Sequence, residues 1–268
     1  MTRHICKSIN PKHTFDSFVT RKCNKLACDV VRKVAQNSLS NKPALVFLYG
    51  QNGFGKTHLL HAIVNHLLQN NYKGKFRYLH CEEFINEFVA AMWGKTGGIF
   101  KKACRDLDCL LLDDIQYLIG NPRSEEEFSL TLNVLAESNK TVIITSNKAP
   151  KELPLNRQRL VSQFLSGIVV HIEPSDIEMR IEILKNHSSA REFNIPDDVI
   201  CFLAENIKDV RGMLGASLSV EEYCISHGIP AKDMACIFPV HMGDNEYDVT
   251  HANSASWDIM QVLKDFMP

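Results

Sequence analysis

The octapeptide Gly50–Thr57 reads GQNGFGKT, and it stands between the apolar run Ala44–Tyr49 and an amphipathic pattern from His58 to Leu68. The run has the length of a buried strand, and the pattern that follows has the apolar spacing of a helix. Glycines allow a backbone to curl so that several N–H groups point at one anion, beside the positive end of a helix. The chain is therefore predicted to hold phosphate on a strand–loop–helix unit of an α/β fold.

Different residues of this loop are expected to contact different parts of a bound triphosphate. Gly50, Gly53 and Gly55 keep the backbone N–H groups unobstructed by side chains. Lys56 is expected to bring a positive charge to the β and γ phosphates, and the hydroxyl of Thr57 is expected to reach Mg²⁺. The loop thus predicts a nucleotide with Mg²⁺ as its ligand.

Composition argues against several other classes of protein. The 268 residues carry 30 basic and 31 acidic side chains, so the formal net charge of −1 gives no general attraction to nucleic acid. The nine cysteines include no CxxC pair, which argues against a zinc ribbon and against a disulfide framework. The first residues, MTRHICKSINPKHTF, lack an apolar signal region, and no apolar run is long enough to span a membrane. A cytoplasmic protein is expected.

Strand and helix patterns alternate along the first two thirds of the chain. The predicted strands are Ala44–Tyr49, Phe76–His80, Cys109–Asp113, Thr141–Thr145 and Ile168–Ile172. Helical patterns lie between them at Thr57–Gln69, Glu82–Met92, Glu125–Glu137 and Arg157–Phe164. Such alternation is typical of a parallel sheet with helices on both faces.

Helical patterns alone follow the last predicted strand, at Asp176–Ala190, Asp197–Asn206 and Val210–His227. We therefore expect four segments along the chain. Residues 1–40 are an N-terminal linker with a first helix, 41–174 the α/β domain, 175–228 a small all-α domain, and 229–268 a loop with a short terminal helix at Trp257–Phe266.

Two successive carboxylates, Asp113 and Asp114, stand at the end of the predicted strand Cys109–Asp113. Mg²⁺ at phosphate sites is held through one or two acidic groups together with the phosphates, and Asp113 is the predicted metal partner. Asp114 would then orient or activate the attacking water. The alternative is an ordinary strand that ends in a turn begun by Asp.

Polar residues also end the next predicted strand, where Thr145, Ser146 and Asn147 occur in succession. Ligands bind at the carboxyl edge of an open α/β sheet. Asn147 is therefore predicted to hold the nucleophilic water near the γ phosphate, and its alternative is an ordinary loop asparagine.

These elements, in this order, resemble the AAA+ ATPases and, among them, the DnaA family of bacterial replication initiators. The segments that carry the resemblance are TFDSFV at Thr14–Val19, FLYGQNGFGKTHLLHAI, CEEFINEFV, LLLDDIQYL, RSEEEF, TSNKAPKEL and IEPSDIEMRIEIL. The resemblance implies a five-stranded parallel P-loop NTPase domain followed by a small all-α lid, with ATP and Mg²⁺ as cofactors.

The resemblance also implies roles for residues outside the loop. Phe18 and Val19 match the family's linker that packs on adenine, and their alternative is a hydrophobic staple under the sheet. Arg211, in the run DVRG, matches the lid arginine that reaches the γ phosphate, a task suited to the guanidinium fork.

The family has a single-stranded DNA surface, which is built by the insertion helices before its second Walker strand. Val89 and Arg123 match positions of that surface, although Val89 has the spacing of a core residue as well. Lys101 and Lys102 would add phosphate contacts or form an ordinary solvated face.

Three departures from the family pattern bear on function. Gln163 stands where the family has the arginine finger that enters a neighbouring subunit, and Arg159 is the remaining arginine that would cover part of that role. A finger contributes about three to five orders of magnitude in rate, so at most a slow ATPase is expected.

Gly212 and Leu214 replace acidic lid residues, and a glycine within a helix costs about 1 kcal/mol relative to alanine. Finally, the chain ends at Pro268, where the family's duplex-binding domain would begin, so sequence-specific duplex binding is not expected.

Three hypotheses remain from the sequence. The first is a replication protein that binds ATP, assembles with itself or with a full-length initiator, and contacts single-stranded DNA. The second is a nucleotide-switched regulatory paralogue that acts only by protein contact. The third, a small-molecule kinase, is disfavoured because the residues that an acceptor lid would need are used by the helical lid. The N-terminal run shows no clamp-binding peptide, which favours the first hypothesis over the second.

Overall fold

The computed structural model describes residues 9–36, 45–191, 193–230 and 263–264. The chain divides between Glu173 and Pro174 into two compact units. The first unit contains the sheet and the second contains only helices among its described residues. None of the helices in the described ranges is both long and apolar enough to cross a membrane.

The first unit is built on five parallel strands. They are β1 (Leu45–Tyr49), β2 (Phe76–His80), β3 (Cys109–Asp113), β4 (Thr141–Ser146) and β5 (Ile168–His171), in the order β2-β3-β4-β1-β5. The predicted five-stranded parallel sheet is therefore confirmed. Because all strands run the same way, their carboxyl ends meet at one edge.

Helices cover both faces of this sheet. They are α1 (Lys22–Gln36), α2 (Lys56–Gln69), α3 (Cys81–Trp93), α4 (Gly97–Arg105), α5 (Pro122–Glu137) and α6 (Gln158–Leu165). The sequence patterns did not predict α4, whose nine residues begin with two glycines and are too few to show clear periodicity. It packs on α3 through the rings of Phe88 and Phe100, whose centroids are 5.7 Å apart.

Alternation along the strands separates two cores. On β1, Val46 and Leu48 face the core that contains α1 and α2, whereas Phe47 faces the core that contains α3, α4 and α5. On β3, Leu111 faces the first core, and Leu110 and Leu112 face the second. A strand that is buried on both faces appears in the sequence as a continuous apolar run. This is why the predicted strand bounds lie close to the observed ones.

The second unit contains three helices, α7 (Ile177–Ser189), α8 (Asp197–Asn206) and α9 (Val210–Ser226). Its core includes Leu184, Leu203 and Val220. Two aspartates cap helices here as side-chain acceptors, Asp176 from the N–H of Met179 and Asp209 from the N–H of Gly212, both at 2.7 Å. Most of the predicted segment 229–268, including all of the predicted helix Trp257–Phe266 except residues 263–264, lies outside the described residues.

Candidate functional site: the loop edge of the sheet

The loop after β1 folds tightly between the sheet and the linker. Gly55 has a φ of 85° and caps α2, a left-handed conformation that favours glycine. A Cβ on Gly50 would lie 2.6 Å from the carbonyl oxygen of Ile172, so this position has no room for a side chain. Lys56 begins α2, and its buried Nζ donates to the carbonyls of Gly50 and Gln51 at 2.8 and 2.9 Å. The loop thus has the backbone and the cation that a phosphate site needs.

Asp113 ends β3 and is buried at the carboxyl edge of the sheet. Its carboxylate accepts a hydrogen bond from the hydroxyl of Thr145 and another, at 3.1 Å, from the hydroxyl of Tyr78. Two donors therefore orient a buried acid whose remaining lone pairs are available to a cation. Such outer hydrogen bonds are the usual support of a metal-binding carboxylate.

Asp114 has a left-handed backbone, with a φ of 57°, which turns its side chain along the edge. Its N–H donates to the Oγ1 of Thr145 at 2.9 Å, and its carboxylate accepts from Gln116 at 2.9 Å. The Nε2 of His80 lies 3.3 Å from its Oδ2. Burial opposes ionisation, but the hydrogen bonds from His80 and Gln116 and the charge of Lys56 hold the pKa of Asp114 below its ordinary value. Asp114 is thus a carboxylate at neutral pH.

His80 completes a compact group with the two aspartates. One ligand atom from each of His80, Asp113 and Asp114 lies within 4.8 Å of the others. The hydrogen bond to Asp114 raises the pKa of His80 above its ordinary value, against the effect of burial. The group is able to hold a cation through carboxylate oxygens, the ligand type that Mg²⁺ prefers.

Asn147 follows β4 at the same edge. Its N–H donates to the Oε1 of Gln116 at 3.2 Å. Its side-chain Oδ1 is buried and has no hydrogen-bond partner within the described part of the chain. A buried polar atom without a partner is uncommon in a folded protein and fits a position that serves a ligand or a water. The residues present therefore fit a nucleotide with Mg²⁺.

The N-terminal linker covers the loop from outside the sheet. The ring of Phe18 is buried, and a Cβ on Gly55 would lie 2.7 Å from its Cε2. Phe18 also meets His58 of α2 in an edge contact with centroids 5.1 Å apart. Val19 is half-buried, and its carbonyl accepts from the Nδ2 of Asn24 at 2.9 Å. Phe18 thus packs in the α1–α2 core and also against the loop. The contact of Phe18 and Val19 with adenine stays a prediction.

Gln163 faces the interior of its own unit. Its Nε2 donates to the Oδ1 of Asn133 at 2.5 Å and to the carbonyl of Ser129 at 3.2 Å. Arg159, four residues earlier on α6, is exposed to solvent. Of these two residues, Arg159 is the one with an exposed side chain.

The two residues proposed for a DNA surface are both exposed. Val89 lies on the outer face of α3 with 39 % of its surface exposed, so the alternative that it is a core residue is wrong. Phe84 and Phe88 fill the core side of that helix instead. Arg123 is the second residue of α5 and is exposed. Arg211 is the second residue of α9, in the other unit, and is exposed there.

Sequence reasoning missed three contributors to the edge, Tyr78, His80 and Gln116, and it placed Thr145 at this edge without giving it a role. A signal for one of them was present, because His80 ends a predicted strand just as Asp113 does, and the two residues are paired in register. Tyr78 gave no such signal, since a tyrosine inside an apolar strand reads as a core residue.

Comparison with known proteins identifies the family. The bacterial DnaA ATPase domain matches residues 9–171. The chromosomal replication initiator protein DnaA of Geotalea uraniireducens (strain Rf4) is 43 % identical over 214 residues, which cover 78 % of this chain and 47 % of that protein. The chain thus spans about half the length of the curated relatives that it matches.

Solved structures agree with this result. Domain III of the Thermotoga maritima replication initiation protein DnaA is similar with a TM-score of 0.81 and 31 % identity, covering 97 % of this chain and 99 % of that one. A replication initiator DnaA bound to AMPPCP and single-stranded DNA has a TM-score of 0.72 and 26 % identity, covering 96 % and 88 %. With the loop, the acidic edge and the helical unit in the order already described, this chain belongs to the bacterial DnaA ATPase domain family.

Proposed function

We propose that this chain binds ATP with Mg²⁺ at the loop edge of its sheet and uses the bound state to control assembly during the initiation or regulation of DNA replication. The observation that carries the proposal is the meeting of a cation, two oriented carboxylates and an unpartnered amide oxygen at one edge. Lys56 is near enough to lower the pKa of Asp114, and Gln116 bridges Asp114 to the N–H of Asn147. Family membership supports the assignment to replication.

Each residue has a defined task in this proposal. The loop N–H groups and Lys56 hold the phosphates, while Thr57 and Asp113 hold the metal. Mg²⁺, when bound, neutralises charge on the phosphate oxygens. Asp114 and Asn147 orient a water toward the γ phosphate, and Phe18 with Val19 forms the apolar side that receives the base.

Turnover is proposed to be slow, with the bound nucleotide acting mainly as a switch. The Gln163 amide is occupied by Ser129 and Asn133, so nothing at the finger position reaches a neighbouring site. Arg159 is the exposed cation of α6 that would act across an assembly, and Arg211 of the lid would report the nucleotide state. The protein would assemble with itself or with a full-length initiator.

Single-stranded DNA is the second proposed ligand. Val89 and Arg123 are both exposed, as a contact with DNA requires. A similar solved DnaA holds AMPPCP together with single-stranded DNA, which supports the same pairing of ligands here.

A fluorescence titration tests this proposal. A labelled single-stranded oligonucleotide of mixed sequence is added with ATP and Mg²⁺, with AMPPCP and Mg²⁺, and without nucleotide. We expect binding that depends on the nucleotide and weakens in Arg123→Ala, with Lys73→Ala as a control at an exposed cation on the loop before β2. ATP binding without any DNA binding at low salt would instead favour the regulator that acts by protein contact alone.

A further inference from the structure

The phosphate loop contains the only Asn-Gly pair of the chain, Asn52-Gly53. The pattern GxxxxGKT leaves position 52 open, so phosphate binding does not require an asparagine there. An asparagine loses its side-chain amide most readily before glycine, because no side chain on the next residue hinders attack by that residue's backbone nitrogen. A chemically labile residue therefore lies in the loop that is proposed to hold the triphosphate.

Both groups that would react are unengaged within the described part of the chain. Asn52 is exposed, and its side chain has no hydrogen-bond partner among the described residues. The N–H of Gly53 has no acceptor among them either. Gly53 has a φ of 82°, a conformation that glycine adopts without strain. No hydrogen bond in this part of the chain thus keeps the amide away from the backbone nitrogen.

Asn139 is a natural comparison within the same chain. It is also exposed and also has a left-handed backbone, with a φ of 55°. The next residue, however, is Lys140, whose side chain hinders attack and whose N–H donates to the carbonyl of Leu135 at 2.8 Å. A backbone nitrogen held in a hydrogen bond keeps its proton and is a poor nucleophile. Asn139 should therefore stay intact under conditions in which Asn52 reacts.

We propose that Asn52 is a site of spontaneous deamidation that disables the phosphate loop, and that bound nucleotide suppresses the reaction. This inference rests on the proposed function, because it gives a chemical consequence to the time that the chain spends without ATP. The modification is intrinsic to the chain and needs no modifying enzyme.

The reaction consumes water and releases ammonia. Hydroxide removes the proton from the nitrogen of Gly53, which attacks Cγ of Asn52 and forms the N–Cγ bond of a succinimide ring. The Cγ–Nδ2 bond breaks with its electron pair, and Nδ2 takes a proton from water and leaves as ammonia. Water then opens the ring. Attack at Cγ gives aspartate, and attack at the main-chain carbonyl carbon gives isoaspartate. No atom is oxidised or reduced.

The isoaspartate product alters the loop more than the aspartate product does. It carries the chain through the former side chain, which inserts a methylene into the main chain before Gly53. The loop has little slack, because a Cβ on Gly50 would already lie 2.6 Å from the carbonyl oxygen of Ile172 and Lys56 is bonded to the carbonyl of Gly50 at 2.8 Å. A longer main chain would turn the N–H groups away from a common anion. ATP binding should therefore be lost mainly with the isoaspartate form.

Nucleotide protects the loop by engaging the same groups. Phosphate oxygens accept hydrogen bonds from the N–H groups of a glycine-rich loop, and the nitrogen of Gly53 is one of these donors in the proposed function. Ring closure also needs rotation of the main chain at Asn52, which a filled loop resists. Protection should therefore follow the occupancy of the nucleotide site.

The first experiment ages the purified chain in mildly alkaline buffer, with and without saturating AMPPCP and Mg²⁺. Peptide mapping by mass spectrometry measures the conversion of Asn52, with Asn139 as internal reference. We expect Asn52 to convert at least tenfold faster than Asn139 without nucleotide, and AMPPCP to slow Asn52 at least fivefold. Conversion of Asn52 no faster than that of Asn139 would overturn the proposal. So would equal conversion with and without nucleotide in a preparation that binds AMPPCP.

The second experiment titrates the aged samples with a fluorescent ATP analogue. The fraction of chains that bind should fall in step with the isoaspartate fraction. Asn52→Gln, whose longer side chain closes a ring far more slowly, should keep the binding fraction with which it starts. Repair with a protein isoaspartyl methyltransferase and S-adenosylmethionine, which converts isoaspartate to aspartate, should return binding to the level of Asn52→Asp. A sample rich in isoaspartate that binds like fresh protein would contradict the disabling effect.

Failure of this inference is distinguishable from failure of the proposed function. If the fresh chain binds the ATP analogue while Asn52 stays intact during ageing, only the deamidation proposal is wrong. If the fresh chain does not bind the analogue at all, the proposed function and the deamidation proposal both fail.

Discussion

Gln163 and Ser129 are joined by two hydrogen bonds that connect α6 to α5. The hydroxyl of Ser129 donates to the Oε1 of Gln163 at 2.8 Å, and the Nε2 of Gln163 donates back to the carbonyl of Ser129 at 3.2 Å. The residue that stands at the family's finger position therefore serves this chain as an internal clamp between two helices. That arrangement separates its effect on stability from its effect on catalysis.

Replacing Gln163 by leucine is expected to lower the free energy of unfolding by about 1–3 kcal/mol, because Ser129 and Asn133 lose their partner in a half-buried place. Gln158→Leu is the matched control, since Gln158 is exposed on the same helix. Urea unfolding of both variants measures the difference. Equal stability of the two would show that the clamp contributes nothing.

Gln163→Arg addresses turnover instead. If the missing finger limits hydrolysis, an assembled preparation of this variant should hydrolyse ATP at least tenfold faster than the parent, as measured by phosphate release. Arg159→Ala in the same assay shows whether the remaining arginine contributes. An unchanged rate in a preparation that still assembles would mean that the glutamine is not what makes hydrolysis slow.

Gly55→Ala should weaken ATP binding more than tenfold. The new Cβ would stand 2.7 Å from the ring of Phe18 and would displace the linker from the loop. Gly120→Ala is a control for the backbone alone, because Gly120 has a φ of 82° and open space around the added atom. Both variants should lose roughly 1 kcal/mol of stability from the positive φ. Isothermal titration with AMPPCP measures affinity, and equal affinities in the two variants would contradict the role of Phe18.

Tyr78→Phe should raise the Mg²⁺ concentration needed for half-maximal ATP binding by about tenfold, since it removes one of the two donors that orient Asp113. Tyr72→Phe removes a hydroxyl from the loop between α2 and β2, away from the carboxyl ends of the strands, and should have no effect. Binding of a fluorescent ATP analogue over a magnesium titration is the measurement. A parent-like magnesium requirement in Tyr78→Phe would show that the hydroxyl does not support the metal.

Acid should loosen the linker through a cluster of three histidines. His13 stacks on His58 with centroids 4.4 Å apart, its Nδ1 lies 3.2 Å from the Nδ1 of His61, and His58 contacts the carbonyl of Thr14 at 2.9 Å. Burial lowers the pKa of His58 to about 4 and lowers the pKa values of His13 and His61, although Asp113 acts in the opposite direction on His61.

The sign of the effect follows from these directions. Between pH 6.5 and about 4 the unfolded chain binds protons at His58 that the folded chain does not, so stability falls as the pH falls through this window. One pKa unit corresponds to about 1.4 kcal/mol, and after solvent screening His58 contributes on the order of 2 kcal/mol. Urea midpoints at pH 7 and pH 5 should converge in His58→Gln but not in His227→Gln, an exposed histidine of the second unit. A parent-like pH dependence in His58→Gln would exclude His58 as its source.

Much of the fold was accessible from the sequence because its signals are local. The five strands were located within a residue or so, since strands buried on both faces read as apolar runs between turn residues. The helix Gly97–Arg105 was not, because its nine residues acquire their helical conformation by packing Phe100 against α3.

The sequence by itself determined the loop Gly50–Thr57, the acidic strand end and the family, because each depends on residues that are adjacent in the chain. Only the tertiary structure decided which side chains meet there. The parallel register places His80 beside Asp113, and the neighbouring strands bring Tyr78 and Thr145 to the same carboxylate. It also decided that Gln163 faces inward and Trp93 outward, since the direction of a helical side chain depends on which face the rest of the protein covers.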